Sequence, residues 1–506
     1  MAAARLAMNH KLVLKYLGFI CTAVGMLMLV PAGWAVHFEE RGPLGAFAAS
    51  LVICVVAGLA LLRLGRGAPS FMYEREAVAL VSVTWMLACA FGAVPYMLSG
   101  TLGPIDSFFE SVSGFTTTGS TVIADIEAVP KSILFWRSFT HWLGGIGIVI
   151  MFIAVLPYFT AGGKLLVKSE TTGPAASSLR PRFRDNALLL FKVYMFLTVI
   201  NVSCYLIAQM DLYDSLCHAF GALATGGFST KQDSIAAFDS LSVEVITIAF
   251  MIIGGTNFGL FAQMYLGDWK AIFRDSEWRL YLTILVIATF LVTLNLTGVS
   301  GTYPQGGAAF EPVDAPRTYS DVGEAFRVAV FQVTSCVTDT GYVTEDFDRW
   351  PFFSKMVLVV LMCLGGSAGS TSSGIKIVRV LMFLKLVYYR LESTFRPKTV
   401  RPLRINGEVV SDDIQRKALI FFCLYMMWFA LGCLVMSYYG LPFESAVSAV
   451  AACFNNCGPG LEHVGAVRDF HLIGPGGTMF LSLTMLLGRL ELIPILVLFV
   501  PAFWRR

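Results

Sequence analysis

Ten apolar, nearly uncharged runs follow one another along this chain, and a membrane-spanning helix needs roughly 20 such residues. They lie at 16–36, 42–62, 77–105, 138–163, 193–210, 245–267, 280–310, 356–375, 418–443 and 470–488, the last continuing past Arg489 and Glu491 to Phe503. Four shorter, partly apolar segments remain between them: Asp106–Phe115, Asp214–Leu223, Asp321–Val337 and Phe443–Phe454. Each is too short to cross, or is flanked by charge, and each runs into a glycine-containing turn. The turns are Thr117-Thr118-Gly119-Ser120, Thr225-Gly226-Gly227-Phe228, Asp339-Thr340-Gly341-Tyr342 and Asn456-Cys457-Gly458-Pro459. Glycines 119, 227, 341 and 458 are 108, 114 and 117 positions apart.

This spacing is a fourfold internal repeat, which dominates the fold assignment. The pattern predicts an all-α polytopic membrane protein of ten transmembrane helices. Four pseudo-symmetric helix–pore-helix–helix repeats surround a central ion pore, and two extra helices precede them. The expected divisions are 1–70 for the extra helices, then 71–163, 186–267, 277–398 and 411–506 for the repeats. A basic loop occupies 376–417.

Charge supports the count. With both termini cytoplasmic, the inner segments carry 27 of the 37 Lys and Arg, while 22 of the 34 acids lie in outer loops and pore segments. This is the positive-inside bias. The 376–417 loop then faces the cytoplasm, either as orientation signal and solvated linker or as a docking surface for a cytosolic partner.

Composition narrows the class. Of 506 residues, 56% are hydrophobic and 14% charged, against about 25% charged in soluble chains. A soluble enzyme, a disordered chain, a disulfide scaffold and a nucleic-acid binder are excluded. The 11 cysteines read as small buried apolar residues, not as a metal or disulfide framework. The first apolar run is long enough to span and has no clear cleavage site.

Non-helical backbone is tolerated at membrane depth only where protein buries it or it lines a cavity. Four such turns converging on one axis would offer rings of carbonyls to an ion. Asp106, Asp214, Asp321 and Glu444 lie at or beside the starts of the short helices, and Ser107 with Glu110 has capping-box spacing. The helix C-termini would point at the axis and favour a cation.

The chain resembles the Trk/Ktr/HKT superfamily of potassium transporters, most closely its TrkH/TrkG-type uptake subunits. The resemblance rests on the segments 116–121, 224–230 and 455–460, on His141-Trp142-Leu143-Gly144-Gly145-Ile146-Gly147, on Gly365 to Gly374, and on Gly488-Arg489-Leu490-Glu491. It implies a potassium-binding filter of Thr117, Thr118, Gly119, Thr225, Gly226, Gly227, Asp339, Thr340, Gly341, Asn456, Cys457 and Gly458. It also implies a bacterial inner-membrane homodimer set in lipid, passing K+ and Rb+ with no covalent cofactor. A cytosolic TrkA-type nucleotide-binding subunit, with ATP or NAD sites, would regulate it. In plant relatives Ser at the first glycine accompanies sodium transport, so Gly119 implies potassium. Asp339 departs from the family's pattern, where Thr is expected. It either sits on an ion site or, the reading we prefer, faces outward and concentrates cations at the mouth.

Gly365, Gly366, Ser367, Ala368, Gly369, Ser370, Thr371, Ser372, Ser373 and Gly374 interrupt the eighth run. So small a run breaks a helix cheaply. It is either a close-packing surface or an intramembrane gate below the filter, and Lys376 links it to the basic loop. Arg489 is an intramembrane charge. It either pairs with Glu491 or snorkels, or else it bonds the small-residue loop or repels ions until the gate opens. We expect His141 to pack or hydrogen-bond, not to relay protons.

Three rivals remain. Gly365-Gly366-Ser367-Ala368-Gly369 matches the nucleophile elbow, but it lacks the strand–turn–helix context and an ordered base, so a serine hydrolase using Ser367 is disfavoured. A midplane solute carrier would usually repeat twice, not four times. A less selective Na+/K+ pathway stays open.

Overall fold

A computed structural model describes residues 8–68, 74–154, 183–298, 317–397 and 401–504, and they are helical almost throughout. Among the described residues, six helices are long and apolar enough to cross a bilayer: His10–His37, Arg41–Leu64, Arg75–Leu98, Ala187–Ile207, Ser276–Leu296 and Asp412–Tyr438. Lys131–Ala154 occupies the fourth run. The outer faces are apolar, with Phe196, Phe290 and Met427 60–69% exposed. The buried interior is rich in Thr, Ser and Asn, such as Thr116, Thr118, Ser335 and Asn455. An apolar exterior around a polar axis suits a lipid solvent.

Between the long helices lie the four short ones: Pro104–Phe115, Leu212–Ala224, Val322–Val337 and Phe443–Asn455. Each packs between the two flanking helices of its own repeat. Each also touches a helix of the neighbouring repeat. The first meets Pro475–Arg489, the second Lys131–Ala154, the third Leu241–Gly254 and the fourth Phe352–Met362. The first repeat thus contacts the last, and the four close into a ring. The two N-terminal helices pack on each other and on the first repeat, outside it.

Several expectations are corrected. The sixth run breaks after Gly254, and Phe258–Tyr265 turns by 93° from Leu241–Gly254. Asn257 caps the second piece by accepting from Gly259 N at 2.8 Å. The tenth run does not continue straight to Phe503, because Pro475–Arg489 is followed by Ile493–Phe499 at 117°. Glu491 and Leu492 carry positive φ at that corner. The basic 376–417 segment has regular structure among its described residues. It holds the amphipathic helix Ile377–Phe395 and a hairpin pairing Arg404–Ile405 with Glu408–Val409. Residues 155–163 of the fourth run and 299–310 of the seventh lie outside the described residues.

The capping box is overturned as well. Ser107 sits inside its helix and donates to Leu102 O at 3.2 Å, leaving Gly103 as the cap residue. Glu110 instead forms a buried ion pair with Arg137 at 2.5 Å. Asp321 does cap the third short helix, accepting from Gly323 N, but the second is capped by Asp211, which accepts from the N–H of Asp214 inside the helix.

Candidate functional site

The four short helices end in the same way. The amides of Thr118, Gly226, Thr340 and Cys457 donate to the carbonyls of Ser113, Gly221, Ser335 and Ala452, each at 2.8 Å. The residues just before them, Thr117, Thr225, Asp339 and Asn456, are left-handed, with φ of 55°, 53°, 56° and 58°. This is Schellman closure, which usually relies on glycine. A β-branched Thr in that region is strained by about 1–3 kcal/mol. Four different sequences hold one backbone shape.

Two residues further on, Gly119, Gly227, Gly341 and Gly458 take φ of 87°, 80°, 80° and 100°. A Cβ on Gly119 would meet Gly226 O; on Gly227, Thr340 O; on Gly341, Cys457 O; and on Gly458, Thr118 O. Each glycine therefore leaves room for the carbonyl that precedes the next repeat's glycine, and the fourth returns to the first. Four carbonyls and four glycines close around one axis.

Side chains brace this ring from behind. Asn456 Nδ2 donates to Thr118 Oγ1 at 2.7 Å, joining the fourth turn to the first. Hydroxyl pairs Thr116–Thr118 and Thr338–Thr340 recur at equivalent places, at 2.7 and 2.6 Å. Arg137 lies over the Phe228 ring at 3.4 Å and donates to Ser229 O at 3.0 Å. The ring nitrogens of His141 both engage backbone: Nε2 accepts from Phe228 N at 3.2 Å, and Nδ1 lies 2.8 Å from Gly114 O. Tyr342 OH donates to Phe228 O at 3.2 Å.

The segment 365–374 lies against the helix side of the ring. Leu364 and Ile375 form a bridge at its base. Thr371 Oγ1 donates to Leu223 O and Gly254 O, both at 3.0 Å, and lies 3.3 Å from Thr225 Oγ1. Ser372 Oγ and Ser373 N donate to Asp339 Oδ2 at 2.9 and 3.1 Å. Gly366 N donates to Ser372 Oγ at 2.5 Å, and Lys376 Nζ to Ser372 O. Arg489 donates through Nη1 to Thr371 O at 2.5 Å and Ser373 Oγ at 3.1 Å, and through Nη2 to Gly144 O at 3.2 Å. Gly369 O accepts from Phe258 N at 3.1 Å, where the sixth run breaks.

The Asp339 carboxylate is completely buried on this loop, so the outward, mouth-facing reading is corrected. The loop's own amides and hydroxyls draw it inward. Arg489 does not pair with Glu491, which pairs with Arg379 instead. Ser367 Oγ has no hydrogen-bond partner among the described residues. Thr117 Oγ1, Asp339 Oδ1 and Asn456 Oδ1 are likewise buried and unpartnered. They occupy equivalent positions in three of the four turns.

One carboxylate escaped the sequence reading. Glu277, in the first turn of Ser276–Leu296, accepts from Ala368 N at 2.7 Å and Val378 N at 3.0 Å, holding both sides of the loop. Its place at the end of an apolar run looks like an ordinary solvated acid, yet it is 6% exposed. The Arg137–Glu110 pair escaped too, because 27 residues separate its members. The cysteines are all unpaired. Seven are buried, but Cys423 is exposed on the outside of Asp412–Tyr438.

Comparison with known proteins bears on this geometry. The family TrkH, described as "Cation transport protein", matches residues 45–506. The "Trk system potassium uptake protein TrkH" of Escherichia coli (strain K12) is 32% identical, across 98% of this chain and all of that protein. The protein of the same name from Halomonas elongata is 34% identical, across 99% of this chain and all of that one. The crystal structure of the potassium transporter TrkH from Vibrio parahaemolyticus superposes with a TM-score of 0.86 at 29% identity, covering 98% of this chain and all of that one.

Proposed function

We propose, from the premise that this chain belongs to the TrkH family of cation transport proteins, that it carries potassium into the cell through the ring of four glycine turns. The family is one of transporters, not enzymes. The observation that carries the reading is the cyclic contact of each glycine with the carbonyl of the next repeat. Carbonyls held this way replace the hydration shell of an ion without a charged side chain. The short helices direct their C-terminal ends toward the same axis and favour a cation.

In this reading K+ is the cargo, with Rb+ as its surrogate. The segment 365–374, held by Asp339, Glu277 and Arg489, blocks the path below the ring. Lys376 and the helix Ile377–Phe395 connect it to the basic surface that a cytosolic, nucleotide-binding partner of TrkA type would engage, with ATP or NAD on the partner alone. The chain works as an inner-membrane dimer with both termini cytoplasmic.

Expression should restore growth of a potassium-uptake-deficient bacterium at low potassium. The purified, partner-activated protein should admit Rb+ into liposomes, with K+ competing and Na+ competing poorly. Equal competition by Na+ would replace the reading with an unselective cation path. Absence of Rb+ flux from folded, activated protein would remove it.

A further inference from the structure

On the side of the ring opposite the Gly/Ser loop is an open recess floored by Gly119, Gly227, Gly341 and Gly458. Its charged lining residues are Arg137, Lys231 and Arg468, and no acid lines it among the described residues. Arg137 is buried and paired with Glu110. Lys231 is half-buried, Arg468 is exposed, and neither forms an ion pair among the described residues. Two positive charges outside any ion pair among the described residues therefore stand over the approach to the proposed cation path. Asp125, Asp233 and Asp469 belong to the same loops but do not line the recess.

We propose that Lys231 and Arg468 form an electropositive collar that discriminates against divalent cations before they reach the glycine ring. This rests on the transport reading above. The argument is that a positive potential acts in proportion to ionic charge. A potential that lowers local K+ occupancy about threefold lowers that of a divalent ion by the square, about ninefold. A monovalent ion loses little, because the carbonyls beyond bind it. A divalent ion that would lodge in the ring and block it loses far more. Acids of the same loops that do not line the recess attract cations of both kinds, and the collar sorts them by charge. Because these groups meet solvent, the effect weakens as salt shortens the screening length.

The test is Rb+ uptake into liposomes holding the full-length, partner-activated protein, with Ba2+ or Ca2+ titrated on the recess side. Lys231→Ala and Arg468→Ala should each lower the half-blocking divalent concentration several-fold, and the double variant by about tenfold, the order of the squared factor above. The half-saturating Rb+ concentration should fall only by about the square root of that change, roughly threefold. Lys231→Arg should behave as the parent. Raising ionic strength with an impermeant salt should bring parent and double variant together. Unchanged divalent block in variants that still carry Rb+, or equal shifts for Rb+ and Ba2+, would overturn the collar. Absence of Rb+ flux in the parent protein would instead overturn the transport reading on which it rests.

Discussion

The glycine ring and the Gly/Ser loop beneath it are both built from small residues, yet they are held by opposite means. The ring repeats one backbone closure four times, at the same 2.8 Å, with glycines meshed against neighbouring carbonyls. No single side chain holds it. The loop occurs once, and a few charged groups from distant segments hold it: Glu277, Asp339 and Arg489. Symmetric backbone packing gives rigidity, since shifting one turn disturbs the next. Single side-chain anchors give a contact that can be released, because losing one frees a segment without unmaking the fold. The contrast fits the proposed function, in which the ring selects and the loop blocks.

The comparison can be broken most forcefully at Gly227. Its added Cβ would collide with Thr340 O and lie 3.1 Å from two further backbone atoms. Gly227→Ala should lower Rb+ flux by about 100-fold, since about 3 kcal/mol of lost coordination corresponds to two decades. Gly458→Ala should be milder, because its nearest clash is at 2.9 Å and the next at 3.5 Å. Rb+ uptake into liposomes for the two variants checks this order.

The loop should respond in the opposite direction. Arg489→Gln and Glu277→Gln each weaken charge-assisted bonds worth about 1.5–3 kcal/mol, so basal flux without the partner should rise by about tenfold. Partner-free Rb+ uptake measures it, and a fall in folded protein would contradict a blocking role. Gly119→Ser should raise Na+ passage relative to Rb+ by roughly threefold or more, because only Gly226 O lies close to the added Cβ and the next atom is at 3.4 Å. A competition assay reads that ratio. The smallest effect belongs to Asp339→Asn. It keeps an acceptor for Ser372 but loses the charge, and should raise basal flux by no more than about threefold.

Much of this was legible in the sequence because repetition is visible there. The register of glycines 119, 227, 341 and 458 located the turns, and the starts and ends of the four short helices fell within a few residues of those observed. What the pattern could not show was which way side chains turn. Asp339 looked like a mouth residue because an acid beside a cation path suggests attraction; the amides and hydroxyls of Ser372 and Ser373, 33 and 34 residues away, settle its direction. Glu277 was missed, and Glu110 was read as a capping-box residue, for the same reason, their partners being 91 and 27 positions distant. The bends at 255–257 and 490–492 lie within apolar stretches, where hydropathy alone cannot distinguish a straight helix from a broken one.

The division of labour is tested most directly by the ratio of Rb+ to Na+ passage, measured without partner, in protein lacking residues 367–372. The account predicts a raised flux at an unchanged ratio, because the block is gone and the ring is intact. A raised flux with a collapsed ratio, or no rise in well-folded protein, would contradict it.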